Sequence, residues 1–250
     1  MTKPAAGAAR SRLTMLLSVG LVVTFAVAAA LAVALLVRPP APEPSRGAQP
    51  TRAAFPVAQP VAFVIGDSQA MGSATINPNS TWVARGVAGL GYLPYVQGAG
   101  GTGFVTARPE ADLEAFPQAY ELWTKPKTPS LIVIEGGGND ITAQDDDITD
   151  AAADLIEVAR ADYPAVPIVV VAPIGDGTGR RAEIADVLEQ VAEDEDTLFV
   201  DPRNWWSEHD LDAYLVDAKH FGAYGHVAAG AYFTAALREA GVPVAGADHH

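Results

Sequence analysis

Five short apolar runs, rich in β-branched and aromatic residues, are each followed by a stretch of a different periodicity. This alternation constrains the fold more than any other feature. The runs are Val61–Ile65, Tyr92–Val96, Leu131–Glu135, Ile168–Ala172 and Leu198–Val200. They read as buried strands. Between and after them, apolar residues recur at helical spacing. Ile148, Ala152, Leu155, Ile156 and Ala159 form one such set, and Ile184, Val187, Leu188 and Val191 a second. Tyr224, Val227, Ala228, Ala231 and Tyr232 open a last helix that runs to about Ala240 and stops at Gly241. Strands alternating with helices predict an α/β fold, with a five-stranded parallel sheet covered by helices on both faces.

The region before the first strand has a different character. Residues 1–12 are a basic tail with Lys3, Arg10 and Arg12. Residues 13–37, Leu13 to Val37, carry no charge. As a helix they span about 37 Å, enough to cross a bilayer. The preceding positive charges predict a cytoplasmic N-terminus. A cleaved signal peptide is the rival reading, but its apolar region is normally shorter and followed by a small-residue cleavage site. Here Ala28-Ala29-Ala30 lies inside the apolar run and Arg38-Pro39-Pro40 follows it. The expectation is therefore an uncleaved single-pass anchor, with the rest of the chain extracytoplasmic, or secreted if the segment is removed. Residues 38–60 form a linker, and seven of the 22 residues from Pro39 to Pro60 are proline. That composition favours extended polyproline II and a reach of about 70 Å. A single domain is expected over residues 61–245.

Charge sharpens the division. The chain has a formal net charge of −14, yet residues 1–52 hold six of the 16 Lys and Arg and only one of the 30 acids, Glu43. The domain is strongly acidic, which argues against nucleic acid as a partner. The chain has no cysteine, which excludes disulfides, thiolate metal sites and a lipid-anchoring cysteine.

Four stretches carry chemistry, and each has an ordinary alternative. Gly66-Asp67-Ser68 ends the first strand and places a serine where open α/β sheets form their ligand crevice. Alternatively, Asp67 and Ser68 cap the next helix. Gly98-Ala99-Gly100-Gly101-Thr102-Gly103 follows the second strand and matches the dinucleotide pattern GxGxxG. That fingerprint needs a helix opening directly from the glycines, whereas Phe104 to Pro109 intervene here. Bare backbone that lets a substrate approach closely fits the loop better. Glu135-Gly136-Gly137-Gly138-Asn139-Asp140 ends the third strand, where Asn139 offers an amide donor, although Asn-Asp after glycine is also an everyday turn. Asp217 and His220 stand three apart ahead of the last helix, spaced so that the carboxylate can orient the imidazole as a general base. His226 falls within the helix and reads as a packed or capping residue. Asp145, Asp146 and Asp147 suit a helix N-terminus and lack the alternation of a calcium loop. His249 and His250 read as a tail.

In that order, the four stretches resemble the SGNH, or GDSL-type, hydrolase family from about Val61 to Ala240. The resemblance implies a flavodoxin-like three-layer α/β/α domain and a serine-hydrolase mechanism. Ser68 would be the nucleophile, His220 the general base and Asp217 its orienting carboxylate. The oxyanion hole would comprise the backbone N–H groups of Ser68 and Gly101 and the Asn139 side chain, with Gly100 the alternative glycine. Gly225-His226 also matches the family pattern. Three positions depart from it: Gln69 stands in place of leucine, Gln97 and Gly98 in place of an asparagine before the glycines, and Phe221 in place of proline. The Gln69 position is read as variable and of little consequence. No cofactor or metal is implied. Gly100, Trp205 and Trp206 are candidates for substrate contact, with core packing the alternative for the tryptophans. The expected activity is hydrolysis of O-acyl esters, O-acetyl among them, on a small molecule, an envelope glycan or a lipid. The alternatives are acyl transfer through the same acyl-enzyme, and a catalytically inactive glycan-binding module.

Overall fold

The computed structural model describes residues 59–73 and 75–246. The expected anchor (13–37) and nearly all of the linker (38–60) lie outside the described residues. Among the described residues, no helix is long and apolar enough to cross a membrane.

The five expected strands form, each within two residues of its sequence boundary: β1 (Val61–Gly66), β2 (Leu93–Gly98), β3 (Pro129–Glu135), β4 (Ile168–Val171) and β5 (Leu198–Val200). All neighbouring pairs are parallel, and the strand order is β2-β1-β3-β4-β5. Parallel strands cannot be joined by tight hairpins, so helices make the crossovers. The helices are α1 (Ser68–Met71), α2 (Trp82–Gly89), α3 (Phe116–Leu122), α4 (Asp145–Asp162), α5 (Gly179–Asp194), α6 (Trp205–Glu208) and α7 (Ala223–Glu239).

The pleat divides the core in two. Ala62, Val64, Leu131, Val133, Val169 and Val171 face a cluster containing Trp82 and Val87 of α2 and Phe233 and Leu237 of α7. Phe63, Ile65, Ile132, Ile134 and Val170 face the other side, against Tyr120 of α3, Ile148, Leu155 and Ile156 of α4, and Ile184 and Leu188 of α5. Alternate residues of one strand thus serve opposite helical layers. Asp145, Asp146 and Asp147 occupy the first turn of α4, as expected for acids at a helix N-terminus. The last helix ends as expected, with Gly241 just beyond it at φ +89°.

The strand order reverses direction between β1 and β3. Loops leaving adjacent strands there diverge to opposite layers and open a crevice at the strands' carboxyl ends. Ser68 leaves β1 at that point and Asn139 leaves β3.

Candidate active site

Ser68 opens α1 directly after β1, and Asp67 caps that helix by accepting the Gln69 N–H at 2.8 Å. The two sequence readings of this run therefore hold together: Asp67 is the cap and Ser68 stands in the crevice. As the first helical residue, Ser68 has a backbone N–H among those with no partner inside the helix. The turn is possible only because residue 66 is glycine. A Cβ there would lie 2.7 Å from Ala70 Cβ and 2.9 Å from Glu135 Oε2.

His220 approaches from the loop before α7, and its Nε2 lies 2.9 Å from Ser68 Oγ. Its Nδ1 lies 2.8 Å from Asp217 Oδ2. The other carboxylate oxygen, Oδ1, accepts the backbone N–H groups of Lys219 and His220, each at 2.8 Å. The His220 hydrogen bond, then the two backbone donors, pull the Asp217 carboxyl down to about 2. The three residues form a continuous serine–imidazole–carboxylate chain from sites 149 residues apart in sequence.

The glycine loop after β2 folds across the serine. A Cβ on Gly100 would sit 3.6 Å from Ser68 Cβ, so this backbone lies against the serine. Gly101 adopts φ +84°, the left-handed region that glycine enters freely. No helix opens from this loop; the next α-helix begins at Phe116. The dinucleotide pattern accordingly lacks its structural context.

Asn139 lines the same crevice as Ser68. Its Nδ2 donates to Asp67 Oδ2 and to the Thr102 carbonyl, both at 2.9 Å. Both amide hydrogens thus have protein acceptors in this state, and Asn139 ties together the loops after β1, β2 and β3. Asp140 reinforces the tie, its buried carboxylate accepting the N–H groups of Phe104, Val105 and Thr106 at 2.8–3.1 Å.

Beneath the serine sit two buried carboxyls, Asp67 and Glu135, at 3% and 1% exposure. Burial raises Asp67 to about 6, against the opposing Gln69 N–H. Burial and then the neighbouring Asp67 charge push Glu135 well above its ordinary value. Glu135 Oε2 has no hydrogen-bond partner among the described residues.

Two sequence expectations change. Trp205 and Trp206 are buried, at 6% and 7% exposure, in the cluster beneath α2 and α7. Trp205 packs edge-on to Trp82. Their rings are spent on the core, which corrects the substrate-contact reading in favour of its packing alternative. The second change concerns Gln69. Its side chain is buried and hydrogen-bonded at both ends, to Trp82 Nε1 and to the Lys219 carbonyl. Its neighbour Ser68 was the signal, since a polar residue on a helix turned into the core needs partners. Glu135 also went unassigned, although it closes the expected buried run Leu131–Glu135. His226 is where the sequence put it, and its Nδ1 accepts the Trp82 N–H at 3.1 Å.

Comparison with known proteins agrees with this geometry. The model of the GDSL-like lipase/acylhydrolase family matches residues 64–228. No curated protein sequence matches the chain. Among solved structures, a carbohydrate esterase family 2 enzyme with a carbohydrate-binding domain, from Corynascus thermopiles (Myceliophthora fergusii), superposes with a TM-score of 0.58. It is 17% identical over 75% of this chain and 68% of its own. A family two carbohydrate esterase from Clostridium thermocellum, solved with cellohexaose, gives a TM-score of 0.57 at 16% identity over 74% and 66%. Salicylyl-acyltransferase SsfX3, from a tetracycline biosynthetic pathway, gives 0.59 at 19% identity over 76% and 57%. At these identities the likeness is one of fold.

Proposed function

The chain belongs to the GDSL-like lipase/acylhydrolase family; from that premise we propose that it is an extracytoplasmic serine esterase removing O-acyl groups from cell-envelope glycans. The observation that carries the mechanism is the chain from Ser68 Oγ to His220 Nε2 and from His220 Nδ1 to Asp217, at 2.9 and 2.8 Å.

Ser68 Oγ attacks the ester carbonyl carbon while His220 Nε2 takes the hydroxyl proton. Asp217 holds the tautomer with Nδ1 protonated and stabilises the imidazolium. The negative oxygen of the tetrahedral intermediate is met by the backbone N–H groups of Ser68 and Gly101. Asn139 joins them by turning one amide hydrogen from its present acceptor. The C–O bond to the alcohol breaks as His220 protonates the leaving oxygen. Water then attacks the acyl-enzyme, giving its proton to His220, and the carboxylic acid departs as Ser68 Oγ recovers that proton. This chemistry calls on no metal or cofactor.

The glycan substrate is supported by the carbohydrate esterases among the structural neighbours. The location is supported by the uncharged run Leu13–Val37 and the proline-rich linker. Acyl transfer is the second reading, favoured by the resemblance to an acyltransferase. Hydrolysis is preferred because the matching family model is that of lipases and acylhydrolases.

One experiment tests mechanism and location together. Cells expressing the full chain are given an O-acetylated polysaccharide too large to enter, and the purified protein is given p-nitrophenyl acetate. Ser68→Ala should abolish both acetate release and p-nitrophenol release. Equal turnover by wild type and Ser68→Ala sinks the mechanism, and acetate release only after lysis sinks the location. Acetylated sugar appearing when free sugar is added decides for transfer.

A further inference from the structure

Among the described residues, two hydrogen bonds join the turn carrying Asp217 and His220 to the helix carrying Ser68. One is the Ser68–His220 bond itself. The other runs in parallel between their sequence neighbours: Gln69 Nε2 donates to the Lys219 carbonyl at 2.7 Å. We propose that Gln69 is a positioning residue, a strut that keeps His220 in register with the acyl-enzyme. The proposal rests on the Ser68–His220 reading above.

The direction of the Gln69 amide is fixed by chemistry. Trp82 is fully buried, and its indole nitrogen can only donate. The atom it meets at 3.2 Å must therefore be Gln69 Oε1, which turns Nε2 toward Lys219. The Lys219 carbonyl belongs to a rigid unit. Asp217 Oδ1 closes the turn by accepting from both Lys219 N and His220 N, and Val216 N donates to the His220 carbonyl at 2.8 Å. Fixing that one carbonyl fixes the imidazole.

The two bonds differ in one respect that matters for turnover. The Ser68–His220 bond is consumed by the reaction: once Ser68 is acylated, Oγ has no proton and no longer holds the imidazole. His220 must then stay in place to activate water. The Gln69–Lys219 bond involves no reacting atom and persists through every step. Its loss should therefore be felt most in deacylation. Leucine, the residue of the family name at this position, could not make this contact.

The test uses p-nitrophenyl acetate with stopped-flow detection on wild type, Gln69→Met, Gln69→Glu and Ser68→Ala. Gln69→Met keeps the length of the side chain and removes both bonds. Gln69→Glu keeps the acceptor for Trp82 and sets a carboxylate oxygen against the Lys219 carbonyl. Both variants should lower kcat by about tenfold or more, since small misplacements of a catalytic group carry penalties of this size. They should lower KM with it, so that kcat/KM falls less. Each should show a burst of p-nitrophenolate approaching one per active site as acyl-enzyme accumulates. Melting curves confirm that the variants are folded, and if one fails to fold the other carries the test. Wild-type kcat and KM in a folded variant overturn the proposal. So does an equal fall in kcat and kcat/KM without a burst, which would mark general damage to the site. A burst that survives Ser68→Ala refutes the Ser68 mechanism; its absence there beside wild-type behaviour in the Gln69 variants refutes the strut alone.

Discussion

Asp217 shows how much one carboxylate can set. Oδ1 shapes the turn and Oδ2 chooses the imidazole tautomer. In Asp217→Asn, the amide oxygen keeps the two backbone donors, so the NH₂ group faces His220 Nδ1. The imidazole must then accept at Nδ1 and carry its proton on Nε2, where it points at Ser68 Oγ and cannot take a proton from it. We expect kcat to fall by a factor on the order of 10²–10⁴ with the fold intact. Because the Asp217 carboxyl is held down to about 2, it stays ionised at any ordinary assay pH. Steady-state kinetics with circular dichroism checks this; wild-type kcat in Asp217→Asn would remove the carboxylate from the mechanism. At this scale, legibility in the sequence followed chemistry. Ser68, Asn139, Asp217 and His220 were readable because each is a reactive type at a strand end or before a helix. Gln69 was passed over because its value lies in two partners, Trp82 and the Lys219 carbonyl, that only folding brings to it. Trp205 and Trp206 misled for the opposite reason, since their proximity to Asp217 in sequence says nothing of the core they fill.

Among the elements, strands were the most legible, because runs such as Leu131–Ile134 are buried on both faces and stay apolar throughout. The short helices were not. α2 has eight residues, two of them glycine, and on sequence alone no helical period stands out. Gly86 is there for packing: a Cβ would lie 2.1 Å from Phe233 Cδ1 of α7. α2 draws its stability from α7 in a second way. Thr81 caps it by accepting the Ala84 N–H, and His226 reaches across to accept the Trp82 N–H. His226 can do this only while neutral, and burial above all lowers its pKa to about 4. His226→Ala leaves the Trp82 N–H buried without an acceptor, at a cost of about 1–3 kcal/mol and a fall in Tm of about 3–10 °C near neutral pH. The depressed pKa sets the sign of the pH dependence. The unfolded chain binds the proton more readily, so this contribution is complete above about pH 6.5 and is lost as pH falls through about 4. Thermal melts across that range should show wild type and His226→Ala converging on the acid side. A constant gap would separate the cap from the histidine's charge state.

Taken as a whole, the molecule sets Ser68, its proposed nucleophile, over two buried carboxyls at the point where the sheet reverses. This arrangement ties global stability to pH in the sense opposite to His226. Glu135 has a folded-state pKa raised first by burial and then by Asp67. The native state therefore holds its proton more tightly than the unfolded state does. Stability falls as pH rises from the unfolded value, about 4.3, through the folded one. Each unit of separation costs about 1.4 kcal/mol once pH exceeds both values. Glu135→Gln keeps a neutral side chain of the same size and still offers an oxygen to the Asp67 N–H, the backbone donor that Glu135 accepts. It also removes a negative neighbour from Asp67. The variant should therefore melt at or above the wild-type Tm at pH 8.5, by about 2–4 °C for each kcal/mol relieved. The advantage should shrink on titration toward pH 5, where wild-type Glu135 is neutral in the folded state. Melts of both proteins from pH 5 to 9 decide the point. A Glu135→Gln protein that is less stable than wild type at pH 8.5 would mean that the native state gains from the Glu135 charge, contrary to its burial and its unpartnered oxygen.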